Sequence, residues 1–154
     1  MAVNHIPDGY HSVTPYLIVD GADAAIRFYG EAFGATEVLR LPMGDSGKIA
    51  HAEIKIGDGH VMLADEFADI LGPLKRGGAT AGLMIYLPDV DVMFARALAA
   101  GAKEERPVAD QFWGDRRGSL IDPFGHRWTL ATHVEDVPED EMQRRMEEAF
   151  KQPA

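Results

Sequence analysis

Residues 12–33, SVTPYLIVDGADAAIRFYGEAF, decide the fold because their pattern recurs further along the chain. The extended run at 12–19 is broken by Asp20-Gly21, and an apolar stripe at helical spacing follows. The run LMIYL at 83–87 and the apolar stripe within 90–99 restate the same order. A repeat of about seventy residues predicts two copies of one structural unit.

Three further extended runs follow the helix in each half. They lie at 35–43, 48–56 and 60–64 in the first half, and at 104–109, 118–121 and 127–132 in the second. Gly57-Asp58-Gly59 is a strong hairpin signal, and Asp122-Pro123-Phe124-Gly125 is typical of a turn. The sequence therefore predicts an α+β fold of paired β-α-β-β-β modules.

The modules are expected to form one compact domain with an N-terminal arm and a C-terminal helix. The predicted bounds are 1–11 for the arm, 12–67 and 81–134 for the modules, 68–80 for the linker and 135–154 for the helical end. In the last segment Met142, Met146 and Phe150 form an apolar stripe. This stripe either docks on the body of the protein or forms a dimer contact.

Composition excludes several classes of function. With 46% hydrophobic and 26% charged residues, this chain of 154 residues is typical of a soluble domain with a core. No apolar run approaches the roughly twenty residues that span a bilayer, and no secretory signal is recognisable, so we expect a cytoplasmic protein without a membrane partner. The absence of cysteine excludes thiol chemistry.

The net charge of −10 bears on partners. Binding to nucleic acid requires clustered Lys and Arg side chains, so we expect no nucleic-acid partner. The same charge favours encounter with a cationic small molecule.

Alternation along the strands predicts a face suited to a ligand. In the first strand, Val13, Leu17 and Val19 share one face and are expected to pack against helices. The opposite faces of the first, fifth and eighth strands carry aromatic, thioether and polar groups, namely Thr14, Tyr16, Ile18, Gly82, Met84, Tyr86, Arg127, Thr129 and Ala131. Apolar walls with a few polar groups are typical of small-molecule sites.

The motifs along residues 12–133 resemble those of the vicinal oxygen chelate superfamily, which includes glyoxalases and bleomycin resistance proteins. They are TPYLIVD at 14–20, AIRFY at 25–29, FGA at 33–35, DVD at 89–91, AAGA at 99–102 and DPFGHRW at 122–128. The segment WGDRRG at 113–118, with the last of these motifs, is similar to the PhnB-like branch. The resemblance implies an eight-stranded, curved, cup-shaped mixed sheet with helices on its outer face, and often a homodimer.

The resemblance also implies where a metal would bind. Catalytic members hold a divalent ion through one His, Gln or Glu on each of the first, fourth, fifth and eighth strands. Matched to this chain, the four positions are Thr14, Met62, Gly82 and Thr129, none of which suits a hard cation. We therefore predict no cofactor, with a divalent metal at other residues as an open alternative.

His51 and Glu53 are the candidate catalytic residues. They lie two apart on the third predicted strand, so their side chains leave the same face of the sheet. They could form an acid-base pair or, together with His60, ligate a displaced metal. The alternative is a solvent-exposed strand face that Lys55 continues.

The candidate ligand contacts lie on the predicted cup or on the loop beside it. They are Thr14, Tyr16, His60, Met62, Met84, Tyr86, Trp113, Asp115, Arg127 and Thr129. Tyr16, Met84 and Tyr86 could instead fill the interior of the cup, and Trp113 could pack under its loop while Asp115 caps a turn. His126 is expected to hydrogen-bond locally, and Arg127 is expected to point into the cup.

Three hypotheses for function follow. In the first, the chain is a bleomycin-resistance-like homodimer that binds a small organic molecule in its cup without a metal. In the second, it is a lyase or isomerase of the vicinal oxygen chelate type that uses His51 and Glu53; the sequence does not decide whether the protein is an enzyme. In the third, the cup is filled by its own side chains and the domain is an interaction module.

Overall fold

The computed structural model describes residues 3–151 and contains eight strands and four helices. In chain order these are β1 (Tyr16–Val19), α1 (Ala22–Phe33), β2 (Thr36–Pro42), β3 (Ile49–Ile56), β4 (Gly59–Asp65), α2 (Pro73–Arg76), β5 (Gly82–Tyr86), α3 (Val90–Ala100), β6 (Lys103–Asp110), β7 (Asp115–Ile121), β8 (Arg127–His133) and α4 (Glu139–Lys151). The predicted order of strand, helix and three strands occurs in both halves.

The strands form two four-stranded mixed sheets with the same topology. Their orders are β1-β4-β3-β2 and β5-β8-β7-β6. In each sheet the first strand runs parallel to the fourth, and the remaining neighbours are antiparallel. The α+β class and the paired modules are therefore confirmed.

The fourth strand of each module fixes the start of that module's helix. The Asp65 carboxylate, at the end of β4, accepts hydrogen bonds from the backbone N–H groups of Gly21 and Ala22, both at 2.9 Å. In the second module the Thr132 hydroxyl of β8 accepts from the Val90 N–H at 2.9 Å. These bonds satisfy N–H groups that have no partner within the helix.

The core joins the two modules into one body. Helices α1 and α3 pack together, and aromatic rings of α1 contact rings from the second module. The ring centroids of Phe33 and Trp128 lie 4.9 Å apart, and those of Tyr29 and Trp128 lie 5.4 Å apart. Asp122 accepts hydrogen bonds from the Tyr29 hydroxyl at 2.7 Å and the Trp128 indole at 2.8 Å, so this buried carboxylate links the modules.

Both turns that the sequence predicts are present. The β3–β4 hairpin turns at Gly57-Asp58, where Gly57 has a φ of 59°. Of the two turn residues only the first has a positive φ, which matches a type II′ turn, and glycine is preferred at that first position. At 122–125 the Gly125 N–H donates to the Asp122 carbonyl at 3.1 Å and closes the second turn.

Three details differ from the sequence-based expectations. Val13 is 86% exposed instead of packed against a helix, because Pro15 has no N–H to donate and the strand begins at Tyr16. The linker contains α2, which is too short to show a helical apolar period. His126 does not bond locally through its ring, since its Nε2 lies 2.9 Å from the Ile18 carbonyl oxygen in the first sheet.

Helix α4 lies on the periphery. None of its residues is buried, although Met142 and Met146 line a shallow groove with Phe112 and Trp113. Arg145 anchors it through an ion pair with Glu135 at 2.8 Å. Over the described range, no helix is both long and apolar enough to cross a bilayer.

Candidate functional site

Each sheet has one face packed against α1 or α3 and an opposite face that is partly open. On β3 the side chains of Ala52 and Ile54 are buried toward the helix, whereas those of His51 and Glu53 are half-buried on the other side. We call the open face of β1–β4 the first half-cup and that of β5–β8 the second half-cup.

A polar network occupies the first half-cup. His51 Nε2 lies 3.1 Å from Glu53 Oε1, and the Tyr16 hydroxyl lies 2.8 Å from His51 Nδ1. The Tyr10 hydroxyl donates a hydrogen bond to Glu53 Oε2. The prediction that His51 and Glu53 share a face is confirmed, and two tyrosine hydroxyls complete the network.

The N-terminal arm covers this network. The ring of Tyr10 stacks on that of His60, with centroids 4.2 Å apart and an interplanar angle of 25°. His60 Nδ1 is buried, and within the part of the chain that the structure describes it has no hydrogen-bond partner. The ring of His60 therefore supports the arm by stacking against the ring of Tyr10.

Hydrogen bonding fixes the charge states in the first half-cup. The Tyr10 hydroxyl, and after it His51, hold the pKa of Glu53 below its usual value. Burial and the Glu53 carboxylate raise the pKa of Tyr10 to about 12. At neutral pH Glu53 is therefore an anion, and the His51 tautomer that donates Nε2–H to it leaves Nδ1 as an acceptor for the Tyr16 hydroxyl.

The second half-cup contains a cavity of about 390 Å³. Arg106 of β6, Arg117 of β7 and Arg127 of β8 line it, and no Asp or Glu is among the lining residues. The polar and apolar groups that complete the lining include Met84, Gln111, Ser119 and Thr129. This wall is basic and rich in hydrogen-bond donors.

A buried carboxylate supports one of these arginines. Asp115 is 3% exposed and accepts hydrogen bonds from the Tyr86 hydroxyl at 3.0 Å and the Trp113 indole at 3.1 Å; His133 Nδ1 lies 2.9 Å from its other oxygen. The guanidinium carbon of Arg117 lies 4.6 Å from the centroid of the Trp113 ring. Asp115 thus holds Trp113, and Trp113 supports Arg117.

The structure separates the predicted ligand contacts into groups. Tyr16, His51, Glu53, His60 and Met62 belong to the first half-cup, and Met84, Arg127 and Thr129 line the cavity of the second. A further cavity of about 580 Å³ lies between the modules and is lined by Thr14, His60, Met84 and Tyr86 among others. Asp115 lies beneath the surface, and Trp113 faces α4.

Sequence reasoning missed several polar residues of the two half-cups. They are Tyr10, Arg106, Gln111, Arg117 and Ser119. Arg117 stands in the WGDRRG segment, which the sequence marks as a motif, but the motif does not indicate that the Arg117 side chain lines the cavity. The arm that carries Tyr10 has no periodic pattern that would predict its contact with Glu53.

A model of the Glyoxalase/Bleomycin resistance protein/Dioxygenase superfamily matches residues 3–130. The chain belongs to this superfamily. The Mycobacterium bovis protein Mb0911c is 42% identical over 151 residues, which are 95% of this chain and 96% of that protein.

Two solved structures of this superfamily's fold are similar to the chain. TioX from Micromonospora sp. ML1 superposes with a TM-score of 0.63 at 26% identity, over 83% of this chain and 100% of TioX. The PhnB protein from Bacillus cereus, a putative 3-demethylubiquinone-9 3-methyltransferase, has a TM-score of 0.63 at 20% identity, over 79% of this chain and 99% of its own. The latter likeness supports the fold alone.

The superfamily's divalent metal does not fit the residues present here. Thr14, Met62, Gly82 and Thr129 offer no imidazole or carboxylate, and the register places Tyr16, not Thr14, beside Met62. Among residues 3–151 no group of three or more His, Asp or Glu side chains could hold a metal ion. His51, Glu53 and His60, the residues of the alternative displaced site, do not form such a group.

Proposed function

We propose that this chain binds a small organic molecule on the half-cups of its sheets without the divalent ion of its superfamily. The observation that carries the proposal is the cavity of about 390 Å³ in the second half-cup, with convergent side chains from β6, β7 and β8. Its size lies within the roughly 300–1,000 Å³ range of small-molecule pockets. Met84 and Leu83 supply the apolar part of the wall.

The same cavity argues against the interaction-module hypothesis. In that hypothesis the cup is filled by its own side chains, whereas both this cavity and the one of about 580 Å³ between the modules are open. Tyr16, Met84 and Tyr86 are 49%, 43% and 60% exposed, which supports a role as walls of the cup.

A lyase or isomerase is the second candidate, and the hydrogen-bonded His51–Glu53 pair favours it. Glu53 fixes the tautomer of His51, so that Nδ1 can accept a proton. A substrate that displaces the Tyr16 hydroxyl would reach this nitrogen. The chemistry available to the pair is proton abstraction from a bound ligand and its return.

A thermal-shift and NMR screen of tag-free protein against a library of small organic molecules tests the binding proposal. We expect compounds that raise the melting temperature and perturb amides of the half-cups. Binding of no compound to either half-cup would refute the proposal.

Proton exchange tests the enzymatic candidate. A bound compound with an acidic C–H should exchange deuterium from solvent, and His51→Ala should abolish the exchange while binding persists. Glu53→Gln should reduce it, because the tautomer of His51 is then no longer fixed. Equal exchange in wild type and His51→Ala would eliminate this candidate.

We also propose a homodimer in which a second copy covers the exposed apolar side chains of the first half-cup. Leu39 and Leu41 of β2 lie opposite Glu53 and His51 in the sheet register and are exposed, as is Tyr16. Light scattering should give twice the chain mass, and Leu41→Glu should give a monomer. The control Val92→Glu, on the exposed side of α3, should stay dimeric.

The cytoplasm is the compartment that we propose for this protein. A chain without cysteine has no need of an oxidising compartment, which supports this placement. Cell fractionation tests it, and recovery from the periplasm or medium would contradict it.

A further inference from the structure

We infer that the cavity of the second half-cup takes an oxyanion, with a carboxylate, phosphate or phosphonate group directed at Arg106, Arg117 and Arg127. This inference rests on the proposed binding function and names its ligand class. The three arginines come from three different strands and meet on one cavity wall.

The charge within this cavity is positive. Arg127 Nε donates to Glu105 Oε2 at 2.6 Å, so one arginine has a carboxylate partner. Among residues 3–151, neither Arg106 nor Arg117 forms an ion pair. Glu105 also interacts electrostatically with Arg106, but one carboxylate does not balance three guanidinium groups on a wall without acidic lining residues, and an anionic ligand would supply a further counterion.

Neutral donors surround the arginines. Thr129 of β8 supplies a hydroxyl to the cavity lining, whereas the hydroxyl of its sheet neighbour Ser119 is already donated to Glu105. Gln111 adds an amide at the rim. Guanidinium, hydroxyl and amide groups together match the several acceptor oxygens of an oxyanion.

The second half-cup is pre-organised for such a ligand. Trp113 supports the guanidinium of Arg117, and its own indole is held by Asp115. Glu105 holds both Arg127 and the Ser119 hydroxyl through one oxygen, at 2.6 and 2.9 Å. Side chains that are already fixed lose less entropy when the ligand binds.

The charge of the cavity lining favours an anionic ligand, in contrast to the cationic ligand that the net charge of the chain favours. A net charge of −10 favours a cationic ligand, but much of the acidic excess lies in residues 135–148, in and before α4. At physiological salt, screening limits the range over which exposed charges interact to about 8 Å. The arginines, by contrast, line the cavity itself. The lining residues therefore decide the class of ligand.

Four probes with one aromatic ring and different charges test the inference. Phenylphosphonate and benzoate are anions, benzamide is neutral and benzylammonium is a cation. In ¹H–¹⁵N NMR titrations we expect saturable shifts of the Gly118, Ser119 and Thr129 amides with the anions alone. The two anions distinguish a phosphonate-like from a carboxylate ligand.

Arginine variants test whether the anion binds at the arginines of the second half-cup. Arg106→Gln and Arg117→Gln should each weaken binding of the better anion by about tenfold or more, as expected for loss of one charge-assisted hydrogen bond. Arg106 is exposed, so Arg106→Gln is expected to fold even if the loss of Arg117 disturbs Trp113. Arg27→Gln, which removes an exposed ion pair on α1, is the control and should bind as wild type does.

The outcomes distinguish the oxyanion inference from the proposed binding function. Equal or stronger binding of benzamide or benzylammonium to the same amides would overturn the oxyanion inference and leave the proposed binding function intact. Unchanged affinity in both arginine variants, or no saturable shift with either anion, would also overturn the inference. Only the failure of every library compound to perturb either half-cup would remove the binding function as well.

Discussion

Asp122 connects segments that are distant in sequence. Its side chain accepts hydrogen bonds from the Tyr29 hydroxyl, the Trp128 indole and the backbone N–H groups of Phe124 and His126. The residue is 3% exposed, and the bonds from Tyr29, Trp128 and Phe124 are buried, so these donors would lose their acceptor away from solvent if the carboxylate were removed.

Asp122→Ala should therefore lower the free energy of unfolding by about 3 kcal/mol or more, because several buried donors lose their acceptor together. Urea denaturation measures the change. Asp45→Ala, in the exposed turn before β3, is the control and should stay within about 0.5 kcal/mol of wild type. A loss at Asp122 no larger than that of the control would contradict the role given to this carboxylate.

Tyr10→Phe should shift the pKa of Glu53 upward. The Tyr10 hydrogen bond is the largest cause of the lowered pKa of Glu53, with His51 next. A lowered carboxyl pKa stabilises the fold above the ordinary value of about 4.3, and this contribution is lost as the pH falls through the lower, folded-state pKa. The stability advantage of wild type over Tyr10→Phe should be present at pH 7 and should disappear as the pH falls through the lowered, folded-state pKa of Glu53.

Carbon-13 NMR of the Glu53 carboxyl and melting curves across pH measure these effects. Tyr86→Phe is the matched control, since it removes a tyrosine hydroxyl from Asp115 in the other half-cup. An unchanged Glu53 titration in Tyr10→Phe would mean that the arm does not dock on the first half-cup.

Helix α4 contributes no residue to the hydrophobic core. Its residues are not buried, and its anchors are exposed ion pairs such as Arg145–Glu135. Exposed ion pairs contribute little to stability, so the two modules should fold without this helix.

A chain that ends after residue 137 should therefore stay folded and melt within a few degrees of the full chain. Circular dichroism measures the melting temperature, and light scattering measures the mass. If the shortened chain unfolds, α4 is part of the core; if it folds but becomes a monomer, the apolar stripe of α4 is the dimer contact.

The elements themselves were predictable where local physics decides them. The apolar stripe of α1, the glycine at position 57 and the alternation of Leu83 and Ile85 with Met84 each depend on neighbours in sequence. The missed contacts depend on distant residues: Tyr10 reaches Glu53, and His126 reaches the Ile18 carbonyl. No local pattern encodes these pairs.

At the scale of the whole molecule, the duplication is evident from sequence, but the candidate site is only partly so. His51, Glu53 and Arg127 were identified by strand alternation. Arg106 was not, because β6 changes register between Glu104 and Arg106 and again before Ala109. Such bulges break the alternation that assigns side chains to a face.

The two halves of the molecule now differ in chemistry although they share one topology. The first half-cup holds a hydrogen-bonded His–Glu–Tyr network, and the second holds arginines and hydroxyls. The superfamily's metal would draw ligands from both halves, and Thr14, Met62, Gly82 and Thr129 at the matched positions supply no imidazole or carboxylate. We therefore regard metal-free binding of a small molecule as the central claim.

The most direct test of that claim is a titration of tag-free protein with phenylphosphonate before and after treatment with a chelator such as EDTA. The Ser119 and Thr129 amides report binding in the second half-cup. We predict the same saturable shifts and the same dissociation constant in both samples, with no change on addition of Zn²⁺ or Mn²⁺. Binding that is lost on chelation and restored by one equivalent of metal would contradict it.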